Sequence, residues 1–517
     1  MHCNKIASDS HKSEDPPMAL DRMLSGKRAL YNRDVGAGPP NGFLAHRLSE
    51  AASVTIAGQT SIAIIGGGIG GLTAAASLLR AGFDVQVYEQ TRTLAEVGAG
   101  INIGPNASRI LHRLGIADEL ERTGVKPFTF DQRRWDDGRI LLRSPLGEAV
   151  ETAFGAPYYT FHRGDLHRAL ANAIPAERLY LAHRFTHLVD HGDHVEAHFE
   201  NGVSISVEAL VGADGIHSVV RHALFGPENP HYTGCAAYRG LIPSDRLRHL
   251  NLELANQIWM GPHAHFVHYF VSARKFVNFV AITEQDNWPG ESWVDRGEVA
   301  DVLAAFHGWH DQVLSIIGAA DETYKWALFD RSPLKRWSVG RVTLLGDACH
   351  PMLPFMGQGA AQAIEDGATL TSCLLKILSD VPAALHLYEQ LRLPRASRLQ
   401  GMSAINKSRF HMPDGPAQRE RDAQMASGAT DWSRAAIAWL FEHDAEVIEG
   451  PLIGLRGVTS ALPPIADMDQ RGRDVRFVPI ADSCTAANFS LFDHLVRNLL
   501  APQRKAMKGG GARISQS

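Results

Sequence analysis

The stretch SIAIIGGGIGGLTAAASLLRAGFDVQVYE, residues 61–89, decides the fold. SIAII has the length and unbroken apolar character of a buried strand, GGGIGG is a turn, and LTAAASLLR is a helix that Ala81-Gly82 closes. DVQVYE then reads as a second strand, so the segment is a βαβ unit. Gly66, Gly68 and Gly71 carry the GxGxxG spacing in the context it requires, after a strand and before a helix. The first glycine permits a tight turn, the second lets backbone approach a pyrophosphate, and the third lets helix and strand pack closely. Glu89 ends the second strand, where a carboxylate can accept hydrogen bonds from ribose hydroxyls and disfavours a 2′-phosphate. A dinucleotide site is the expectation, and this half alone does not separate NAD from FAD.

Two further strand-then-turn segments lie outward from this unit, EALVGADG (208–215) and RVTLLGDACHP (341–351), each leading into a helical pattern. Between Cys235 and Ala327 the text becomes β-like and aromatic. QIWMGPHAHFVHYFVS and KFVNFVAIT alternate apolar and polar residues, as an antiparallel sheet inserted into an α/β lobe would. Helical patterns resume from Gly359 to about Leu378 and from about Ala384 to about Gln400. Even-numbered offsets put His263, His265 and Tyr269 on one face of a strand in the inserted sheet. A histidine and a tyrosine there can hold a phenolate or carboxylate and relay its proton. His263 and His268 are expected to be surface or packing residues.

Composition narrows the partners. With 51 basic against 56 acidic side chains in 517 residues, nothing suggests nucleic acid or an anionic membrane surface. No apolar run approaches the roughly 20 residues that span a bilayer, and the N-terminus lacks a signal-like apolar core. Cys3, Cys235, Cys349, Cys373 and Cys484 are scattered without CxxC pairing, which points to a reducing, cytoplasmic setting and to no metal site. Residues 1–57 are rich in Ser, Asp, Gly and Pro and read as a disordered extension.

The turn motifs carry a family resemblance. GDACHPMLPFMGQGAAQAIEDG (346–367) resembles the GD motif of the group A FAD-dependent aromatic monooxygenases, and GADGIHSVVR (212–221) is similar to their DG motif. EVGAGINIGPNASRIL (96–111) and FHRGDLHRAL (161–170) resemble the segments beside the flavin. The likeness covers roughly residues 60–445. It implies FAD as cofactor, with Asp347 on the ribityl chain, Asp214 serving both the flavin and the pyridine-nucleotide sites, and Gly100, Arg163, Gly359 and Ala360 beside the cofactor. The small residues at 357–361 also let backbone N–H groups approach the ring.

The spacing of His265 and Tyr269 resembles the pair in the salicylate hydroxylase and 6-hydroxynicotinate 3-monooxygenase branch. Arg239 in CAAYRGLIP is similar to the arginine of that branch's YRG segment, and Pro354 matches the family's proline near the reacting centre. Asn102 departs from a histidine found in some pyridine-ring hydroxylases, which argues against 6-hydroxynicotinate. The implied activity is hydroxylation of a small phenolic or hydroxypyridine carboxylic acid with O2 and NADH or NADPH, through a flavin C4a-hydroperoxide.

The expected architecture is α/β. A Rossmann-type, glutathione-reductase-like FAD-binding domain occupies 58–235 and 327–400, and an inserted antiparallel-sheet substrate domain occupies 236–326. C-terminal helices follow over 401–445, then an irregular tail over 446–517. The protein is expected to act as a monomer or homodimer. Two alternatives stay open: a flavin-dependent epoxidase or hydroxylase of a larger polycyclic or terpenoid compound, and a flavin-binding protein without turnover. His265, Tyr269 and Arg239 favour the small polar substrate, because buried polar groups need partners.

Overall fold

The computed structural model describes residues 60–448 apart from 95–99, 287–295 and 428–433. The expected extension at 1–57 and nearly all of the tail at 446–517 lie outside the described residues.

The βαβ segment forms as its pattern dictates: strand Ser61–Ile65, helix Ile69–Arg80, strand Asp84–Tyr88. Ser61–Ile65 sits between two parallel neighbours, with Ile64 opposite both Val211 and Val87. It is covered on both faces, which is why it reads as continuous apolar residues rather than alternating ones. The full sheet runs Ser338–Val339, Val342–Leu344, Ala209–Gly212, Ser61–Ile65, Asp84–Tyr88, Leu179–Tyr180. All three turns singled out from sequence therefore leave the same edge of one sheet, at the carboxyl ends of adjacent parallel strands, where ligands bind in α/β folds. Helix Gly359–Lys376 packs on helix Ile69–Arg80 closely enough that a Cβ on Gly367 would lie 2.8 Å from the Ala74 nitrogen.

The second sheet has eight strands and takes in more of the chain than its sequence suggests. Its order is Arg296–Gly297, Thr323–Asp330, His231–Pro243, Phe276–Glu284, Ala264–Val271, Ala255–Gly261, Thr129–Arg134, Ile140–Pro145. Two of these, Thr129–Arg134 and Ile140–Pro145, fall in the stretch that the sequence reading gave to the nucleotide lobe. They join through parallel pairing of Ala255–Met260 with Thr129–Arg134, a non-local contact with no local signature. One face carries Tyr238, Trp259, Phe266 and Phe279 against the helices Val299–Ala305 and Asp311–Gly318. The other carries Ala237, Ile258, Val280 and Ile282 and looks toward Leu353, Phe355 and Phe410.

The last long helix runs unbroken from Val381 to Phe410, with Pro394 inside it, ten residues beyond the end read from sequence. No helix among the described residues is long and apolar enough to cross a membrane.

Candidate active site

The glycine loop is built by exclusion of side chains. Gly66 has φ +111° and donates its N–H to the Tyr88 carbonyl at 2.8 Å, while a Cβ on Gly71 would stand 2.1 Å from the Gly66 oxygen. Around the Cβ position of Gly68 there is nothing within 4 Å, and the residue lines the cleft described below. Glu89 accepts the Gly67 N–H at 2.7 Å and the Thr91 N–H at 2.9 Å, and so braces the loop from behind.

The two aspartates have different surroundings. Asp347 is exposed on the turn Gly346–Ala348 and makes no hydrogen bond among the described residues. The turn beneath it is held rigidly, because Asp366 accepts from the Gly346 N–H at 3.0 Å and lies 2.6 Å from His350 Nε2. Cys349, His350 and Asp366 could geometrically hold a cation, but both Asp366 oxygens are already engaged, one of them by Arg392 Nε at 2.7 Å. Asp214 accepts from Ser218 Oγ at 2.5 Å and from the N–H groups of Val219 and Val220, which ties down the start of helix Val219–Phe225. Its neighbours Ala213 and Gly215, rather than its carboxylate, face the cleft.

That cleft, about 290 Å³, runs between the two sheets. Gly68, Gly71, Gly100, Arg163, Asp347, Pro354, Gly359 and Ala360 line it, together with Arg239, His265 and Tyr269 from the second sheet. Gly66, Glu89 and Asp214 support the wall without lining it. Register explains the far side: Arg239 pairs with Val280, which pairs with Val267, and His265 and Tyr269 flank Val267 at even offsets on the same face. Gly100 has its own reason to lack a side chain, since a Cβ would meet Tyr269 at 2.6 Å and Asn278 at 2.5 Å.

Arg239 is half-buried, its Nε is shielded from solvent without a hydrogen-bond partner among the described residues, and its guanidinium lies 4.4 Å from the centre of the Trp326 ring. Burial lowers its pKa to about 10, against the pull of Tyr269, so it stays charged at neutral pH and lacks a carboxylate partner among the described residues. Burial pushes the Tyr269 phenol well above its usual range, making it a hydrogen-bond donor rather than a base. Burial, with His411 adding to it, keeps His265 neutral.

His263 departs from the expected pattern. The strand starts at Ala264, and His263 sits in the preceding turn with φ +57°, its side chain out toward Glu284. The left-handed residue breaks the two-residue alternation, so His263 does not share the face of His265. His268 is buried on the opposite face against Trp259.

A second cavity of about 110 Å³ adjoins the first and shares His265, Val267, Pro354 and Asn102 with it. Its walls include Phe355, Phe410 and Phe441. Set among these apolar groups are amide atoms left over: Asn102 Oδ1, Asn256 Oδ1 and both ends of the Gln132 amide are buried without hydrogen-bond partners among the described residues. Sequence reasoning missed Gln132, Asn256 and Tyr158. Only the run of polar residues in TFDQRR and ANQ, at positions now seen to be in strands, could have pointed to Gln132 and Asn256, and no such signal marks Tyr158.

A cleft lined by a glycine turn, an exposed aspartate and an arginine that lacks a carboxylate partner among the described residues fits an adenine-linked flavin. Residues 59–403 match the family described as FAD binding domain. The chain belongs to that family. A 3-amino-4-hydroxybenzoate 2-monooxygenase of Streptomyces platensis is 43% identical over 386 residues, covering 74% of this chain and 96% of its own. A 6-hydroxynicotinate 3-monooxygenase of Bordetella bronchiseptica is 42% identical over 352 residues, covering 68% and 92%. Among solved structures, a salicylate hydroxylase substrate complex superposes with a TM-score of 0.64 at 25% identity, covering 75% of this chain and 96% of that one. The protein is an FAD-dependent aromatic monooxygenase, as its motifs implied.

Proposed function

We propose that the protein hydroxylates a small aromatic acid carrying a ring hydroxyl, using O2 and NADH or NADPH, with the substrate ring held in the second cavity. The observation that carries this reading is the set of orphaned amides there. Buried polar groups without partners cost about 1–3 kcal/mol each; a ring hydroxyl or amino group on the ligand would donate to the amide oxygens, and its carboxylate would accept from Gln132 Nε2. A cavity of about 110 Å³ also argues against the polycyclic or terpenoid alternative.

Asp347, Arg163, Gly68, Gly359 and Ala360 would hold the cofactor, Asp347 at the ribityl chain and Gly68 at the pyrophosphate. Bound FAD supplies the acceptance of electrons from the nicotinamide and the activation of oxygen. The chain's own residues do the rest. Arg239 offsets the negative charge that enters the cleft. Tyr269 donates a hydrogen bond and, being held protonated, does not compete for the substrate's proton. The free Nε2 of His265 faces the cavities and accepts that proton, which makes the ring more electron-rich where oxygen must add. Pro354, Phe355 and Phe410 exclude water from the reacting atoms. The need for NAD(P)H and the buried free thiols Cys235, Cys349 and Cys373 support work in the cytoplasm; the proposed state is a monomer or homodimer.

The test is a panel containing 3-amino-4-hydroxybenzoate, 6-hydroxynicotinate, 3-hydroxybenzoate and salicylate, each with its decarboxylated analogue. NADH oxidation, oxygen uptake, peroxide and product would be followed together. The reading expects one acid to stimulate oxidation with a new phenol formed and little peroxide. Stimulation by none of them, or equal stimulation by the decarboxylated analogues, would overturn it.

A further inference from the structure

His265 does not end at the cavity. Its Nδ1 lies 2.6 Å from His411 Nε2, His411 Nδ1 lies 3.1 Å from Glu284 Oε1, and Glu284 Oε2 lies 2.9 Å from His263 Nδ1. His265 and His411 are buried, at 2% and 3% exposed, and exposure then rises to 33% for the Glu284 side chain and 64% for that of His263. The backbone clamps the same residues together, because the His263 N–H donates to the His411 carbonyl at 3.0 Å and the Glu284 N–H to the His263 carbonyl at 2.9 Å. His411 is placed by the end of the long helix, Glu284 by the end of one strand and His263 by the turn before another.

We propose that His265, His411 and Glu284 form a proton exit from the substrate cavity to solvent beside His263, and that Glu284 sets the tautomers that make His265 a base. This rests on the reading of the second cavity as the substrate site. The carboxylate accepts, so His411 must carry its proton on Nδ1 and present a lone pair at Nε2. That lone pair accepts in turn, so His265 carries its proton on Nδ1. Its Nε2, which has no hydrogen-bond partner among the described residues, is left as a lone pair toward the cavities.

Every step balances. The substrate O–H breaks as N–H forms at His265 Nε2, His265 Nδ1–H breaks as N–H forms at His411 Nε2, and His411 Nδ1–H breaks as O–H forms on Glu284. Glu284 then releases the proton to water. The hydrogen bond from His411, with that from His263 and against burial, holds Glu284 down at about 2, so it passes a proton on rather than keeping it. Other groups act on this line. The Lys407 ammonium from the long helix favours charge on Glu284 and disfavours it on His411, and the rings of Phe355 and Phe410 flank His265 and keep water away.

Two measurements on the full-length holoenzyme test this independently of each other. Long-range proton–nitrogen NMR on protein labelled with ¹⁵N-histidine, assigned with His265→Asn and His411→Asn variants, reads the tautomers without substrate. Both rings are expected as Nδ1–H in the wild type, and Glu284→Gln, which can donate, is expected to turn both to Nε2–H. A wild-type His265 with its proton on Nε2 overturns the proposal whether or not any acid is turned over. With whichever panel acid is hydroxylated, Glu284→Gln and His411→Gly should each lower kcat at least tenfold, with KM within twofold and the flavin spectrum unchanged. They should also shift the acid limb of the kcat profile, and imidazole should restore His411→Gly. Unchanged kcat and pH profile in a folded, flavin-loaded Glu284→Gln enzyme that still hydroxylates would overturn the relay while leaving the substrate reading intact. A panel without a substrate would overturn that reading and leave the tautomers as the arbiter.

Discussion

Arg392 places its Nε 2.7 Å from Asp366 Oδ1, a contact made entirely out of reach of solvent. The same guanidinium bonds Glu365 Oε2 at 2.5 Å, and Asp366 in turn carries the Gly346 N–H and His350 beneath the turn of Asp347. Burial alone would raise Glu365, but Arg392 and Arg395 reverse this and bring it to about 2.

Replacing Arg392 with Met should therefore leave two buried carboxylates short of a partner. A loss of about 3–5 kcal/mol is expected, read as a fall in melting temperature, with FAD released at lower denaturant than in the wild type. The sign with pH follows from the depressed pKa. The contribution of Glu365 is complete above its unfolded value near 4.5 and disappears as pH falls through about 2. A melting temperature that is flat between pH 5 and 2.5 in the wild type would contradict the pairing.

Gly68 and Gly71 separate binding from folding. Gly68→Ala points a methyl into open space, so the apoprotein should fold and melt normally while its affinity for FAD falls at least tenfold. Gly71→Ala meets a carbonyl at 2.1 Å and should lower the melting temperature of the apoprotein itself. Flavin fluorescence titration beside scanning calorimetry distinguishes the two, and equal stability losses would refute the placement of the phosphate at Gly68.

Tyr269→Phe should keep FAD and slow hydroxylation by about 10², with reduction by NAD(P)H little changed. Since the phenol stays protonated well past its ordinary range, the variant and the wild type should show the same alkaline limb. An alkaline limb that vanishes in Tyr269→Phe would instead make the tyrosine the titrating base.

Gln132→Leu removes a buried amide that has no hydrogen-bond partner among the described residues. The variant should be more stable than the wild type, by up to about 1–3 kcal/mol, yet its KM for the aromatic acid should rise tenfold or more. A destabilised variant with unchanged KM would place Gln132 in the scaffold instead.

Much of this architecture was readable in advance because its signals are local. The strand, turn and helix of residues 61–89 follow from period and glycine placement, and the shared face of His265 and Tyr269 follows from a two-residue repeat. What escaped was non-local or broke the repeat. Gln132 sits in a charged run whose parallel partner lies more than a hundred residues on, at Gln257 and Ile258, so no window of sequence holds both. Likewise His411 meets His265 across 146 positions. The alternation that placed His263 beside His265 fails because a left-handed residue precedes the strand. The backbone N–H groups that Glu89 and Asp214 accept from are likewise fixed by the folded turns, and the carboxylate alone does not announce them.

The single rod from Val381 to Phe410 grips the cofactor turn through Arg392 at its middle and delivers His411 at its tip. An insertion of one residue between them would rotate the tip by about 100° and swing the imidazole away while leaving the grip intact. Enzymes altered there should come out yellow but leaky, spending nicotinamide on peroxide. Directed evolution for new substrates would do best to leave that span's length untouched.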